Sequence, residues 1–245
     1  VVPCQWNADV FKKCGVDKPI GVIPHIYKEI SPEPFELHIP KDHFVFYTIG
    51  QWTQRKGTKE TIQAYLQAFT KNDPVTLVVK TFDMGYSMDQ KRGLQQKINR
   101  LLQMYQDPPH ILVIYDELID HQISYLHDIG DCYVTLTKSE GWGLGMFDAL
   151  GKGNPVICTG FGGQLDFTIG PYINYKLGTV DMAYPWYHKD QSWAYPDKDH
   201  AASLMKEVYR HYPSYKEKAV EHSHWIKDYF STEKVTQQLV KFLKS

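Results

Sequence analysis

The chain has 245 residues, 27 of them basic and 28 acidic, for a formal net charge of −1. That balance leaves no field for gripping a nucleic-acid backbone, so no nucleic-acid partner is expected. No apolar run approaches the roughly 20 residues of a membrane-spanning helix. With 42% hydrophobic residues spread along the chain, a core can form without disulfides.

Cys4, Cys14, Cys132 and Cys158 show no C-x-x-C spacing, which speaks against a zinc site or disulfide framework and for a reducing cytoplasm. The sequence opens Val1-Val2-Pro3-Cys4-Gln5-Trp6 without an initiator Met or a signal-peptide pattern. It reads as a piece of something longer, or as a processed product.

Phe44 to Ile49 is a short run of β-formers ending at Gly50, hence a buried strand. Gly57 to Lys71 follows, with Ile62, Tyr65, Leu66 and Phe69 at helical spacing on a core-facing side. The alternation repeats: strand Val75 to Lys80, helix Gln90 to Tyr105, strand Ile111 to Tyr115, short helix Gln122 to Asp128. Strand Cys132 to Leu136, helix Gly145 to Gly151 and strand Pro155 to Cys158 complete it. Such a pattern predicts an α/β fold, a doubly wound parallel sheet with right-handed crossovers. After about residue 170 comes an irregular aromatic stretch, Tyr172 to Pro196, with Tyr184, Trp186, Trp193 and Tyr195. Three amphipathic helices, near 199–211, 213–229 and 232–243, form a C-terminal extension with breaks at Pro213 and Ser231. The expected organisation is a linker and helix over 1–20, a Rossmann-like unit over 20–170, and aromatic segment plus helices over 171–245.

In such sheets ligands bind beyond the carboxyl ends of the strands, so the loops after strands carry the candidates. The strongest is Ser139-Glu140-Gly141-Trp142-Gly143-Leu144-Gly145-Met146-Phe147-Asp148. Alternate glycines let the backbone approach a ligand closely, and the free amides of the following helix suit a diphosphate. Glu140 and Asp148 stand eight positions apart and can each accept hydrogen bonds from vicinal hydroxyls at opposite ends of an extended ligand.

This run resembles the E-x7-E signature of group 1 (family 4) retaining glycosyltransferases, with Asp148 for the second Glu and Gly145 for the usual Pro. Gly153-Asn154-Pro155-Val156-Ile157 resembles the G-x-P-V-I strand that follows it in that family. Val2-Pro3 through Trp6, Gly15-Val16 and Val22-Ile23-Pro24-His25 resemble the linker and first strand of the family's C-terminal domain. Gly50-Gln51-Trp52 through Arg55-Lys56-Gly57 resembles its G-R-x-x-x-x-K-G phosphate loop, with neutral Gln51 at the Arg position. Gly163-Gln164-Leu165-Asp166-Phe167 and Trp193-Ala194-Tyr195-Pro196-Asp197 resemble runs of one subgroup.

The resemblance implies the C-terminal, donor-binding domain of a GT-B glycosyltransferase that transfers a hexose with retention, without metal and without cofactor. The donor would be a nucleoside-diphosphate sugar, UDP-linked in preference to GDP- or ADP-linked. Catalytic roles fall on Glu140, which orients the sugar, and Lys56, which with the amides of Leu144 and Gly145 takes the departing charge. Trp142 and Gly143 would floor the sugar site, Asp148 would hold the ribose, and the backbone from Tyr115 to Leu118 would read the base. Gln51, Arg55 and Lys80 complete the donor-binding set, Lys80 as a phosphate or sugar contact or as a merely solvated strand end. The acceptor, a glycan, lipid or protein, would be held by an N-terminal domain or a partner chain. The alternative is a non-catalytic or degenerate subunit kept for assembly, which Gln51 and the missing acceptor half favour and Glu140 and Lys56 oppose.

Other features read as structural. Asp197-Lys198-Asp199 spells a metal-binding D-x-D, but Asp199 before Ala201-Ala202 reads as a helix N-cap. His25 reads as a loop residue near the cleft, not a base. The aromatic stretch from Tyr172 to Tyr195 reads as padding under the terminal helices, and Lys216-Glu217-Lys218 as a solvated helix face. No G-x-G-x-x-G follows the first strand, which sets aside a dinucleotide oxidoreductase.

Overall fold

The computed structural model of the chain describes residues 1–181 and 187–244. Tyr184 and Trp186, part of the aromatic stretch, lie outside the described residues. A six-stranded, wholly parallel sheet forms the centre, in the order β3-β2-β1-β4-β5-β6. Its strands are β1 (Phe44–Gln51), β2 (Val75–Phe82), β3 (His110–Ile114), β4 (Cys132–Thr135), β5 (Val156–Thr159) and β6 (Tyr172–Ile173).

Neighbouring strand residues point to opposite faces, and both faces are buried, as parallel sheets require. Phe46, Leu77, Val79, Val134 and Ile157 pack against α2 (Thr58–Ala68), with Leu101 of α3 (Met88–Leu102), and against α6 (Lys198–Arg210). Val45, Tyr47, Val78, Tyr133, Val156 and Cys158 face Leu126 of α4 (Asp120–Ile129), Phe147 of α5 (Leu144–Gly151), and Ile226 of α7 (Tyr212–Tyr229). The sheet is therefore doubly wound, and α6 and α7 each cover one face of it.

Local chemistry sets the helix ends. Ser87 caps α3 in a reciprocal box with Gln90. Pro213 sits in the first turn of α7, where its missing N–H costs nothing, and Ser231 caps α8 (Thr232–Leu243). The cap of α6 is Asp197, whose carboxylate accepts from the amides of Asp199 and His200. Asp199 is inside the helix, so the expected cap lies two residues too late.

Two further corrections concern the ends of the domain. Val22 to His25 forms no strand; a single bridge, Val2 to Val22, ties the entry segment down, with α1 (Gln5–Lys13) between them. The stretch read as irregular contains an antiparallel pair, β7 (Tyr175–Thr179) with β8 (Ser192–Pro196). Buried Trp193 of β8 packs over the Lys138 ammonium. Among the described residues no helix is long and apolar enough to cross a membrane.

Phe230, at the end of α7, packs its ring on Phe147 and Trp142 and is 2% exposed. Phe230→Ala is expected to cost about 3–5 kcal/mol by leaving a cavity, whereas Met104→Ala, at a 78% exposed side chain, should change stability by less than about 0.5 kcal/mol. Urea unfolding of both variants tests this; equal, small effects would mean that α7 is not part of the core.

Candidate active site

Strand order reverses between β1 and β4, since β2 and β3 lie on one side of β1 and β4 to β6 on the other. At such a switch point the two outgoing loops diverge and leave a crevice. A cavity of about 470 Å3 occupies it, walled by Thr48, Ile49 and Gly50 of β1, Tyr133 and Thr135 of β4, and the loops that follow.

Glu140 closes one end. Its side chain is 9% exposed and pairs with Lys56 Nζ at 2.7 Å and Arg55 Nη1 at 3.4 Å. Thr137 Oγ1 donates to the same carboxylate at 3.0 Å. A carboxylate this buried is tolerable only when paired and hydrogen-bonded, and here two cations face one anion, leaving one positive charge in excess. Gly57 makes the approach feasible. It has φ 63°, and a Cβ there would collide with the Leu136 carbonyl, so only glycine lets Lys56 lie this close to the end of β4.

The loop from Gly141 to Gly143 feeds α5. Gly143, at φ 101°, holds a left-handed conformation that residues with a side chain rarely adopt. The first amides of α5, at Leu144 and Gly145, have no intrahelical acceptor, and the helix dipole adds partial positive charge there. Loop position is fixed from outside by contacts that sequence reasoning missed. Asn7 Nδ2 and Cys4 Sγ both donate to the Gly141 carbonyl, at 2.9 and 3.2 Å. The Gly163 amide donates to the Glu140 carbonyl at 2.9 Å, so α1 and the 3-10 turn Gly163–Asp166 serve as props.

Asp148 closes the other end. Its carboxylate takes no hydrogen bond and no ion pair among the described residues, and burial, with Asp120 adding like charge, pushes its pKa up to about 6. Beside it the cavity wall includes His127 and Ile123 of α4.

Of the residues singled out in the sequence, the cavity wall brings together Lys56, Glu140, Trp142, Gly143, Leu144, Gly145 and Asp148. Trp142 is only 5% exposed, its ring packed on Phe167, Phe147 and Phe230, so it supports the site as core. Arg55 stands behind Glu140, donating to the Ser139 carbonyl at 2.6 Å. Gln51, Lys80, Tyr115 and Leu118 lie outside the wall. Gln51 donates to the Asp83 carbonyl at 2.8 Å, turned away from the cavity that Gly50 lines. Lys80 is neither solvated nor in the cavity: it is buried, its ammonium over the rings of Phe82 and Tyr86, and burial lowers its pKa to about 8. Leu118 packs on the core, and the Tyr115 hydroxyl is half-buried, which raises its pKa to about 12.

His25 does reach the wall, against Trp142. Thr48, Thr135 and His127 also line the cavity and were not anticipated. The available signal was a polar residue at the carboxyl end of an apolar strand, and a histidine on the buried side of a helix.

No family model matches the sequence, and no curated protein does. Folds compare more readily. Sucrose-phosphate synthase from Thermosynechococcus elongatus superposes with a TM-score of 0.73 at 16% identity, over 99% of this chain and 57% of that one. The pneumococcal O-GlcNAc transferase GtfA, in complex with UDP and GlcNAc, gives 0.64 at 18% identity, over 99% and 44%. HepE from Anabaena, in complex with UDP and glucose, gives 0.59 at 18% identity, over 83% and 48%. These neighbours are GT-B glycosyltransferases, and the chain, spanning about half their length, has the fold of one of their domains.

Because the native state raises the Asp148 pKa from 3.8 to about 6, it binds that proton more tightly than the unfolded chain does. Stability from this group is therefore greatest below pH 3.8 and declines as pH rises toward 6. Asp148→Asn is expected to gain about 3 kcal/mol over the natural chain at neutral pH, the gain shrinking to nothing in acid. Unfolding curves across that range check it; a gain independent of pH would contradict it.

Proposed function

We propose that the chain is the donor-binding half of a retaining GT-B glycosyltransferase of the group 1 (family 4) kind, taking a nucleoside-diphosphate hexose. The observation that carries this reading is one cavity with two unlike ends. Glu140, Lys56 and Arg55 supply a net positive, hydrogen-bonding end, Asp148 supplies a lone acceptor at the other, and the bare amides of α5 lie between them. An extended ligand with an anionic middle and hydroxyls at both ends matches that order.

In this reading the diphosphate rests on the Leu144 and Gly145 amides and draws Lys56 toward it. As the bond from the sugar's anomeric carbon to the diphosphate oxygen breaks, Lys56 and these amides stabilise the charge gathering on the leaving group. Glu140 then keeps Arg55 and Thr137 as partners and accepts from the sugar hydroxyls. Gln51 adds no charge and faces the Asp83 carbonyl, so Lys56 carries neutralisation without a second cation from that position. No metal is required for this role. UDP is favoured as the nucleotide because GtfA and HepE, with the same fold, were captured with UDP. The acceptor half would come from an N-terminal domain or a partner chain, and GtfA/B, another neighbour of this fold, is itself a complex. Four unpaired cysteines support a cytoplasmic setting.

Calorimetric titration with UDP, GDP and ADP tests the proposal. One of the three should bind at micromolar to millimolar concentration, and Lys56→Ala should weaken it by about ten- to hundredfold, the worth of one charge-assisted hydrogen bond. A flat trace with all three nucleotides would overturn the proposal and favour a subunit that keeps the fold for assembly alone.

A further inference from the structure

A second cavity, of about 440 Å3, is framed by the segments that follow β1, β2 and β4, hence on the same edge of the sheet as the first. The two cavities share loops. The loop after β1 gives Gly50 and Lys56 to the first and Trp52, Thr53 and Gln54 to the second. The segment after β4 gives Glu140 to the first and Lys138 to the second. The Lys138 amide donates to the Arg55 carbonyl at 2.7 Å, so the two loops that frame both cavities are tied to each other.

Two acids of the second cavity's wall are each paired with a lysine. Glu60 of α2 meets the Lys138 ammonium at 2.9 Å through Oε1, and Asp83, just after β2, meets Lys97 of α3 at 2.8 Å through Oδ2. Lys138 is 5% exposed, and its ammonium also lies 5.0 Å from the centre of the Tyr195 ring. Both carboxylates stay open to solvent, with 23% and 26% of the side chain exposed. Each engages one oxygen and leaves the other without a partner among the described residues. A carboxylate paired in this way has its charge offset but keeps the lone pairs of its second oxygen. Trp52 and Tyr195 add aromatic surface to the same wall.

That combination selects among ligands. Lys59, Lys97 and Lys138 balance Glu60, Asp83 and Asp181, so a phosphate meets no excess of positive charge and a cation no excess of negative. An apolar molecule would strip water from these polar atoms and give no hydrogen bond in return. A neutral sugar brings hydroxyls that donate to open carboxylate oxygens, and a C–H side that packs on aromatic rings. We propose that the second cavity is a saccharide-binding site, distinct from the nucleotide cavity. Hydroxyls of a neutral sugar donate to Glu60 and Asp83 there, and its C–H side packs against Trp52 and Tyr195. The site does not rest on the reading of the first cavity. It gives this chain a hold of its own on a glycan, through loops that the two cavities share.

The test maps binding by nitrogen-15 NMR of the labelled chain. Methyl glycosides of glucose, galactose, mannose and N-acetylglucosamine are each titrated to tens of millimolar. At least one should shift the amides of Trp52, Thr53, Gln54 and Lys59 along a saturating curve with a millimolar Kd. Inorganic phosphate over the same range should leave those signals in place. Asp83→Ala should weaken the sugar about tenfold, the loss of one hydrogen bond to a charged group, and Asp83→Asn, which keeps an uncharged acceptor, by less. The proposal is overturned by any of three results in the natural chain: no saturable shift with any of the four sugars, shifts confined to Leu144 and Gly145 of the first cavity, or a stronger response to phosphate. A folded Asp83→Ala chain that binds as tightly as before would also overturn it. These titrations contain no nucleotide, so their failure leaves the nucleotide proposal standing, and a flat trace with UDP, GDP and ADP leaves this one standing.

Discussion

Burial of the Glu140 carboxylate between Lys56 and Arg55 is the constraint on which the rest of the site depends. A charge at 9% exposure must be met from within the protein, because water no longer meets it. The two cations come from the loop after β1 and the acid from the loop after β4. The ion pair therefore latches the two loops that diverge at the switch point of the sheet. Thr137 and the glycine at 57 make the latch tight, one by adding a donor and the other by giving way to the Leu136 carbonyl. A latch of this kind leaves one excess positive charge at the end of the cavity.

The architecture around it follows from where a parallel sheet puts its loops. All six strands end on one edge, so ligand-facing segments gather there. α5 begins at that edge and aims its bare amides into the crevice, and Asp148, one turn along, reaches the far end. The terminal helices matter because their side chains close the core beneath the site. Phe230 pins the Trp142 ring from below, and Lys216 reaches across to Asn154. A segment distant in sequence thus packs both the ring within the glycine loop and a buried amide beneath the sheet.

Much of this was legible in the residues. Five of the six central strands and the helices between them announced themselves by short runs of β-branched and aromatic residues alternating with helical spacing, because a two-face-buried strand has little choice of composition. The glycine-spaced acid pair was equally plain, since tight turns and bare amides leave their mark locally. What stayed hidden depends on partners far away in the chain. β7 and β8 pair across the stretch around residues 180–191, and nothing in either strand alone declares it. Side-chain direction at the end of a strand was also illegible: Gln51 and Lys80 stand at the right edge but turn toward Asp83 and toward Phe82 and Tyr86. The side chains of Tyr47, His127, Asn154 and Lys216 form one hydrogen-bonded line, and only packing brings those positions together.

The most direct measurement is a crystal structure of the chain grown with millimolar UDP. The diphosphate oxygens are expected within hydrogen-bonding distance of the Leu144 and Gly145 amides and of Lys56 Nζ, with the ribose beside Asp148. Nucleotide bound elsewhere, or diphosphate density remote from α5, would contradict it.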